Sequence, residues 1–360
     1  FLDTISGITG LKLTYPQLAL PIGLSFYTFK NLSYILDIYM GKTEPCKGFF
    51  PYAVYSTMFP HMTAGPIVRY TDISESISRR SINTTRLGAG AELFIKGLSK
   101  KVLLSALYTT LQASGTTSFV GTWLAIGAYT LELYFDFSGY SDMAIGLGQM
   151  LGFNFNKNFD YPYISTSVSE FWRRWHISLG SWFRDYIYIP LGGNRVSTGR
   201  HIRNILVVWA LTGLWHGASW NFVFWGVYYG LLLLAEKFLL GRFLEKAPVW
   251  LRNLYTMFAV IIGWVFFSQT TPAAIGKMLG AMFGLGASCF ADRASLYALK
   301  SGLILMIISV ISCRPGLYQY FKRLARRNTY LAAVINAILF FLCIAYMIYS
   351  SYTPFMYQQF

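Results

Sequence analysis

One ionisable side chain lies alone in a long uncharged stretch of the chain. The stretch from Asn204 to Ala235 contains no Asp, Glu, Lys or Arg, and His216 is its only side chain that titrates near neutral pH. A neutral imidazole can take a proton from a reacting hydroxyl, so His216 has the chemistry of a general base. The alternative is a structural histidine that bonds a neighbouring helix. We favour the functional role, because a buried ionisable group is costly.

The same stretch predicts a break in the backbone beside this histidine. A continuous helix over its length would be about 48 Å long, more than one bilayer core of about 30 Å and less than two. Gly213 and Gly217 enclose Trp215 and His216 and mark the natural place for the break. Irregular backbone at membrane depth must be covered by protein or line a water-filled cavity.

A second histidine, His176, lies among many aromatic and basic side chains. Their mixture is typical of a helix anchored at the membrane interface, ending in a turn at Pro190–Asn194. The alternative is a cytoplasmic vestibule whose arginines bind the phosphates of an acyl carrier. The residues concerned are Trp172, Arg173, Arg174, Trp175, Trp182, Phe183, Arg184, Tyr186, Tyr188 and Arg195.

Three carboxylates also lie in apolar and aromatic surroundings. Glu132 and Asp136 are four residues apart and share one face of a continuous helix, and Asp142 follows. Gly139 is a plausible break between the two aspartates. Such carboxylates are costly unless they pair or face a cavity. We favour a structural role, in which they bind arginines or backbone donors, over direct catalysis.

The composition places the chain in a membrane. Only 12% of the 360 residues are charged, 54% are hydrophobic, and the mean hydropathy is +0.43, whereas soluble domains carry about a quarter charged residues. The net charge of +15 comes from short basic runs between apolar segments, as positive-inside topology produces. Anionic headgroups account for this charge, so we expect no nucleic-acid partner. The four histidines show no ligand spacing, so we expect no metal site.

The apolar segments predict an all-α, polytopic transmembrane bundle with broken or re-entrant helices. Gly48–Ile67 contains three prolines and indicates a broken segment, whereas Arg86–Lys101 predicts an amphipathic cytoplasmic helix. Four further spans are expected. One lies within Leu13–Met40, one begins near Asn253, one ends near Cys313, and one lies within residues 328–360.

Several blocks resemble a known family. SEFWRRWHISLGSWFRDYIYIPLGGNR (Ser169–Arg195) and LTGLWHGASWNFVFWG (Leu211–Gly226) resemble the membrane-bound O-acyltransferase (MBOAT) superfamily. The closer likeness is to the branch that contains the membrane subunit of alginate O-acetylation. Ala64–Tyr70, Tyr134–Gly148 and Pro354–Phe360 also resemble that branch.

The resemblance implies one transmembrane domain over residues 1–360, a helical bundle around a central tunnel that lacks the N-terminal spans of other members. His61 stands where glutamine is common in the branch and is assigned no role. His216 matches the family's near-invariant histidine, and His176 matches the second conserved position of the branch.

The implied activity is acyl transfer across the bacterial cytoplasmic membrane. A thioester on coenzyme A or an acyl carrier protein would deliver an acetyl group from the cytoplasm, and no bound cofactor is expected. An extracytoplasmic SGNH-type partner would then O-acetylate a polysaccharide. A positioned imidazole contributes about 10²–10⁴-fold to such a reaction, and we assign this role to His216. Candidate oxyanion donors are protonated His176, indole N–H groups, and backbone amides at Gly213 or Gly217. Substrate contacts are assigned to Trp172, Arg173, Arg174, Trp175, Trp215 and Asn221.

The depth of His216 predicts that the polymer itself is not the direct acceptor. His216 lies about 20 Å from Arg203 if the intervening residues are helical, well inside a core of about 30 Å. Drawing a hydrated polysaccharide to that depth would desolvate many hydroxyls. We therefore expect a partner to receive the acyl group.

Two other functions stay open. A transporter or scaffold would use the buried carboxylates and His216 as a proton or translocation path. Transporters commonly contain paired broken helices, however, and only one clear break is evident in the sequence. Within the enzyme class, the alternative is D-alanyl transfer to teichoic acid, which a sister branch performs.

Overall fold

The computed structural model describes residues 23–105 and 118–349, with isolated positions at 6, 7, 9, 10, 21 and 108. Within these residues the regular structure is helical and no strand occurs. The predicted all-α class is confirmed. The Pro354–Phe360 motif and the first part of the predicted span within Leu13–Met40 lie outside the described residues.

The first five helices include the longest one among the described residues. They are α1 Leu24–Tyr39, α2 Phe49–Thr57, α3 Tyr70–Ser78, α4 Thr84–Ser99 and α5 Phe119–Met150. The next carry the site or adjoin it: α6 Val168–Arg174, α7 Ile177–Phe183, α8 Thr198–His216, α9 Trp220–Ala235 and α10 Gly241–Lys246. The last are α11 Val249–Ser268, α12 Pro272–Met282, α13 Arg293–Ser312, α14 Pro315–Arg327 and α15 Thr329–Tyr349. Three π-helical segments, π1 Lys100–Ser105, π2 Arg184–Tyr188 and π3 Glu236–Leu240, extend α4, α7 and α9.

Four described segments are long and apolar enough to cross a membrane. They are Trp220–Lys246, Val249–Ser268, Arg293–Ser312 and Thr329–Tyr349. The last three agree with the spans predicted near the C-terminus. By contrast, α2 has nine residues and is about 14 Å long, too short to cross a core of about 30 Å. A 3₁₀ turn follows it at Phe59–His61, so the predicted broken segment is confirmed.

The long helix α5 carries all three predicted carboxylates and is continuous over 32 residues. The plausible break at Gly139 is therefore wrong. A Cβ atom at Gly139 would lie 2.7 Å from the carbonyl oxygen of Gly97 in α4, and one at Gly146 would lie 2.6 Å from that of Gly90. These glycines let two helix backbones approach closely, as small residues do at interfaces between membrane helices.

The predicted break beside His216 is confirmed and lies directly after it. Helix α8 ends at His216 and α9 begins at Trp220. Gly217 has a φ of +156°, and a Cβ atom there would lie 2.7 Å from the ring of Phe222. Gly213 is not part of the break, because it lies within α8, where a side chain would collide with the backbone of α9. Glycine is thus needed both for the turn and for the close packing of the two helices.

The basic loops predict a sidedness that thiol labelling can test. Cysteines placed singly at Arg79, Arg195, Arg242 and Arg323, all exposed, should be protected from an impermeant maleimide added to intact cells. A cysteine at the exposed Thr271 should react. The native cysteines are replaced first. Labelling of the Arg195 position from outside would contradict both the topology and a cytoplasmic vestibule.

Candidate active site

A cavity of about 530 Å³ brings the two predicted histidines to one site. Its walls come mainly from α6, α7, α8, α9 and α11, and both His176 and His216 line it. The indole of Trp215 packs against both imidazoles. Its ring centroid is 6.1 Å from that of His176 and 4.8 Å from that of His216. Two imidazoles from different segments thus share one aromatic neighbour.

The cavity leads from a basic surface to His216. Ile205 and His216 both line it from the same helix, and the eleven-residue rise between them is about 16 Å. Arg173, Gly180 and Arg184 also line it and are exposed, so the cavity reaches the surface at their end. A long, narrow acyl donor with an anionic head could enter there and reach the imidazole.

An ion-pair cluster fixes one side of this opening. Asp185 accepts a hydrogen bond from Arg184 at 2.7 Å and pairs with Arg69 at 2.6 Å. Burial alone would raise the pKa of the Asp185 carboxyl, but the hydrogen bonds from Arg184 and Arg69 outweigh it and hold that pKa below its usual value. The carboxylate therefore stays ionised at neutral pH. Arg173 has no ion-pair partner within the described residues, so its guanidinium can meet an incoming anion.

His216 lies in an aromatic enclosure at the deep end of the cavity. Its side chain is 7% exposed, and the rings of Trp225 and Phe267 have centroids 5.0 Å from its own. An imidazole in such a place is screened from bulk water but open to a ligand in the cavity. These are the conditions under which a neutral histidine can serve as a base.

His176 occupies a strained junction between α6 and α7. Its φ and ψ of 44° and 53° are left-handed, which costs a residue with a side chain on the order of 1–3 kcal/mol. Asn158 bonds both sides of this junction: its Oδ1 is 3.2 Å from His176 Nδ1, and its backbone carbonyl accepts the Ile177 N–H at 2.9 Å. His176 Nε2 is buried and has no protein partner among the described residues.

The predicted substrate contacts divide into two groups. Trp172, Arg173 and Trp175 line the cavity. Arg174 does not, because Glu170 accepts its Nε–H at 2.9 Å and the carbonyl of Asp160 accepts an Nη1–H at 3.0 Å. Of the other two, Trp215 contacts both imidazoles, and Asn221 is buried at the start of α9.

The three predicted carboxylates are buried or half-buried in α5, outside the lining of the cavity. Asp136 pairs with Lys101, and Asp142 pairs with Lys100 at 2.6 Å. The partners of these two aspartates are lysines of π1 rather than the predicted arginines. The third carboxylate, Glu132, is 7% exposed. In the described part of the chain, no group of three His, Cys, Asp or Glu side chains could hold a metal ion.

Sequence reasoning missed three buried polar groups. The Glu236 carboxylate accepts the first two backbone N–H groups of α6 at 2.6 and 2.9 Å and so fixes the helix that carries Trp172. Lys30 is fully buried and lies 2.9 Å from His61 Nδ1, which gives His61 a structural partner. The third is Asn158. For Lys30 the available signal was a charged side chain inside an apolar segment, which needs a partner.

Comparison with known proteins agrees with the geometry. Residues 47–279, which include both histidines, match the model of the membrane-bound O-acyltransferase family. The chain belongs to this family, and it is a multi-pass membrane protein.

Three relatives show where the chain lies within the family. It is 41% identical over 316 residues to the probable alginate O-acetylase AlgI of Azotobacter vinelandii, covering 85% of the chain and 62% of that protein. It is 32% identical over 304 residues to a peptidoglycan O-acetyltransferase of Helicobacter pylori, covering 75% and 58%. It is 27% identical over 232 residues to a teichoic acid D-alanyltransferase of Bacillus subtilis, covering 60% and 59%. The chain thus spans less than two thirds of the length of each of these relatives.

Proposed function

We propose that the chain is a membrane-embedded O-acyltransferase. It takes an acetyl group from a cytoplasmic thioester, on coenzyme A or an acyl carrier protein, and delivers it to a hydroxyl from the opposite face of the bacterial cytoplasmic membrane. The observation that carries this proposal is the cavity that joins a basic surface to two buried imidazoles. The O-acetyl-transfer names of the two relatives at 41% and 32% identity support acetyl as the group transferred.

The proposed reaction assigns the proton to His216. Its imidazole removes the proton of the acceptor hydroxyl while the oxygen attacks the thioester carbonyl carbon. The tetrahedral intermediate then collapses, the C–S bond breaks, and the imidazolium returns its proton to the departing thiolate. The products are an acetyl ester and a free thiol, and His216 is neutral again.

Indole N–H groups fit the developing oxyanion. Trp172 and Trp225 line the cavity, and the Nε1 atom of each is buried without a hydrogen-bond partner among the described residues. An indole N–H can only donate, so an acceptor atom of a bound substrate would satisfy each of these buried donors. Such preorganised donors stabilise charge that develops in the transition state.

The acceptor is proposed to be a thin hydroxyl-bearing segment of an extracytoplasmic partner of the SGNH type. His216 lies in an aromatic enclosure with Trp225 and Phe267, which leaves little room for a hydrated polymer. Bringing many sugar hydroxyls into such surroundings would cost their hydration. The partner would then pass the acetyl group to the polysaccharide.

Reconstitution tests this relay. The purified protein in vesicles, supplied with labelled acetyl-coenzyme A and alginate, is expected to label the polymer only when an SGNH-type partner is added. The control omits the thioester but keeps both proteins. Efficient labelling of alginate by this chain alone would refute the relay while leaving the acyltransferase assignment intact.

D-alanyl transfer is the second candidate, supported by the 27% identity to a teichoic acid D-alanyltransferase. The same vesicles distinguish the two when a D-alanyl carrier protein and acetyl-coenzyme A are offered in parallel. We expect transfer of acetyl, because the relatives of higher identity carry O-acetylation names.

A further inference from the structure

Asn158 lies at the centre of a buried network beneath His176. It is 1% exposed and belongs to the connection between α5 and α6. Its Oδ1 lies 3.2 Å from His176 Nδ1, 3.1 Å from the backbone nitrogen of Ser178 and 2.9 Å from Ser178 Oγ. Its Nδ2 lies 3.1 Å from Ser141 Oγ in α5.

This network fixes which way the Asn158 amide points. The backbone N–H of Ser178 can only donate, so the atom facing it must be the amide oxygen. A flipped amide would set an NH₂ group against that N–H and leave a donor unpaired in a buried place. The position of the Asn158 oxygen therefore follows from the Ser178 backbone N–H, which can act only as a donor.

The oxygen in turn selects the form of the imidazole. An acceptor 3.2 Å from His176 Nδ1 requires a hydrogen on that nitrogen. In a neutral imidazole the other nitrogen then carries a lone pair, and His176 Nε2 has no protein partner in the described residues. His176 lines the cavity, and its Nε2 atom can therefore accept a hydrogen bond from a group bound there.

We propose that Asn158 is a positioning residue that holds His176 in the Nδ1–H tautomer, so that Nε2 accepts a hydrogen bond from an N–H or O–H group of a bound substrate. The substrate part rests on the proposed function, whereas the tautomer does not. His176 is then an acceptor and not the oxyanion donor that the sequence suggested as one option. The indole N–H groups take that donor role.

The tautomer can be measured without any assay of activity. The protein is labelled with ¹⁵N-histidine in nanodiscs, and the His176 signals are assigned by their loss in His176→Gln. We expect a protonated Nδ1 and an unprotonated Nε2, and a redistribution between the tautomers in Asn158→Ala. A protonated Nε2 in the unaltered protein would overturn the proposal, even if the protein transferred no acyl group at all.

Kinetics test the consequence for catalysis. Asn158→Ala should lower kcat/KM for acetyl transfer about 10–100-fold, the usual cost of losing the partner that orients a functional histidine. Asn154→Ala is the matched control, because Asn154 lies in the same connection, is exposed, and contacts Arg86 rather than His176. A rise in KM for the thioester or for the acceptor identifies which of the two donates to Nε2.

Asn158→Asp keeps an acceptor beside His176 Nδ1. It tests the same positioning role if the Asn158→Ala protein fails to fold. It should retain the tautomer and most of the activity at high pH. A carboxylate beside Nδ1 stabilises the imidazolium, so the acidic limb of the pH–rate profile should move to higher pH. His216, the other histidine lining the cavity, is unchanged in this comparison. The positioning role is refuted if the pH–rate profile of Asn158→Asp does not move and Asn158→Ala keeps full activity. Asn158 would then be a structural residue only.

Discussion

Replacing His216 with alanine is expected to abolish acyl transfer and to leave the protein folded. The variant loses the group that removes the hydroxyl proton, which is worth about 10²–10⁴-fold in rate. The imidazole lies against aromatic rings at the end of the cavity, so its removal enlarges that cavity. Turnover of labelled acetyl-coenzyme A in the presence of the acceptor, together with a melting curve in detergent, measures both effects.

His201→Ala is the matched control for this experiment. His201 lies in the same helix and is 5% exposed, but it contacts Tyr188 Oη at 2.9 Å and does not line the described cavity. Losing it should leave the half-buried Tyr188 hydroxyl without this partner and reduce stability by about 1 kcal/mol, with transfer retained. Retained transfer in His216→Ala would falsify the catalytic assignment.

Replacing Asp136 with alanine is expected to destabilise the protein strongly. Asp136 and Lys101 are 4% and 7% exposed, and they join α5 to π1. Removing one member of a buried ion pair leaves the other charge uncompensated, which typically costs about 3–5 kcal/mol. The melting temperature should fall well below that of the unaltered protein. Transfer measured at low temperature, where the variant stays folded, should persist.

The neighbouring pair provides the control for this second prediction. Asp142 and Lys100 are joined at 2.6 Å, but their side chains are 25% and 28% exposed, so Asp142→Ala should cost only about 0–1 kcal/mol. The double variant Lys101→Met with Asp136→Leu should recover most of the lost stability, because apolar replacement removes both charges together. A stable Asp136→Ala protein without transfer activity would instead make this carboxylate catalytic.

Much of the architecture follows from the sequence because it depends on local pattern. The broken helix after His216 was predictable because its uncharged stretch is too long for one crossing and too short for two. The same reasoning failed at Gly139. A glycine can break a helix or let a neighbour approach, and Gly97 on α4 decides between these uses only in three dimensions.

The site, too, has features that local sequence pattern predicts and features that depend on the tertiary structure. The i,i+4 pairing of Glu170 with Arg174 was readable from spacing and would have removed Arg174 from the predicted substrate contacts. No local pattern could place Asn158 under His176, because their contact depends on the turn between α6 and α7 and on the position of α5. That His176 and His216 share a cavity is likewise a tertiary fact, which their spacing in the sequence could not show.

One measurement tests the central claim most directly. The protein is reconstituted in vesicles of uniform orientation, with labelled acetyl-coenzyme A confined to the side of the Arg173 opening and the hydroxyl acceptor confined to the other side. The account predicts acetylated acceptor with the unaltered protein and none with His216→Ala. Equal labelling by the His216→Ala protein, or labelling only when donor and acceptor share one side, would contradict transfer through this cavity.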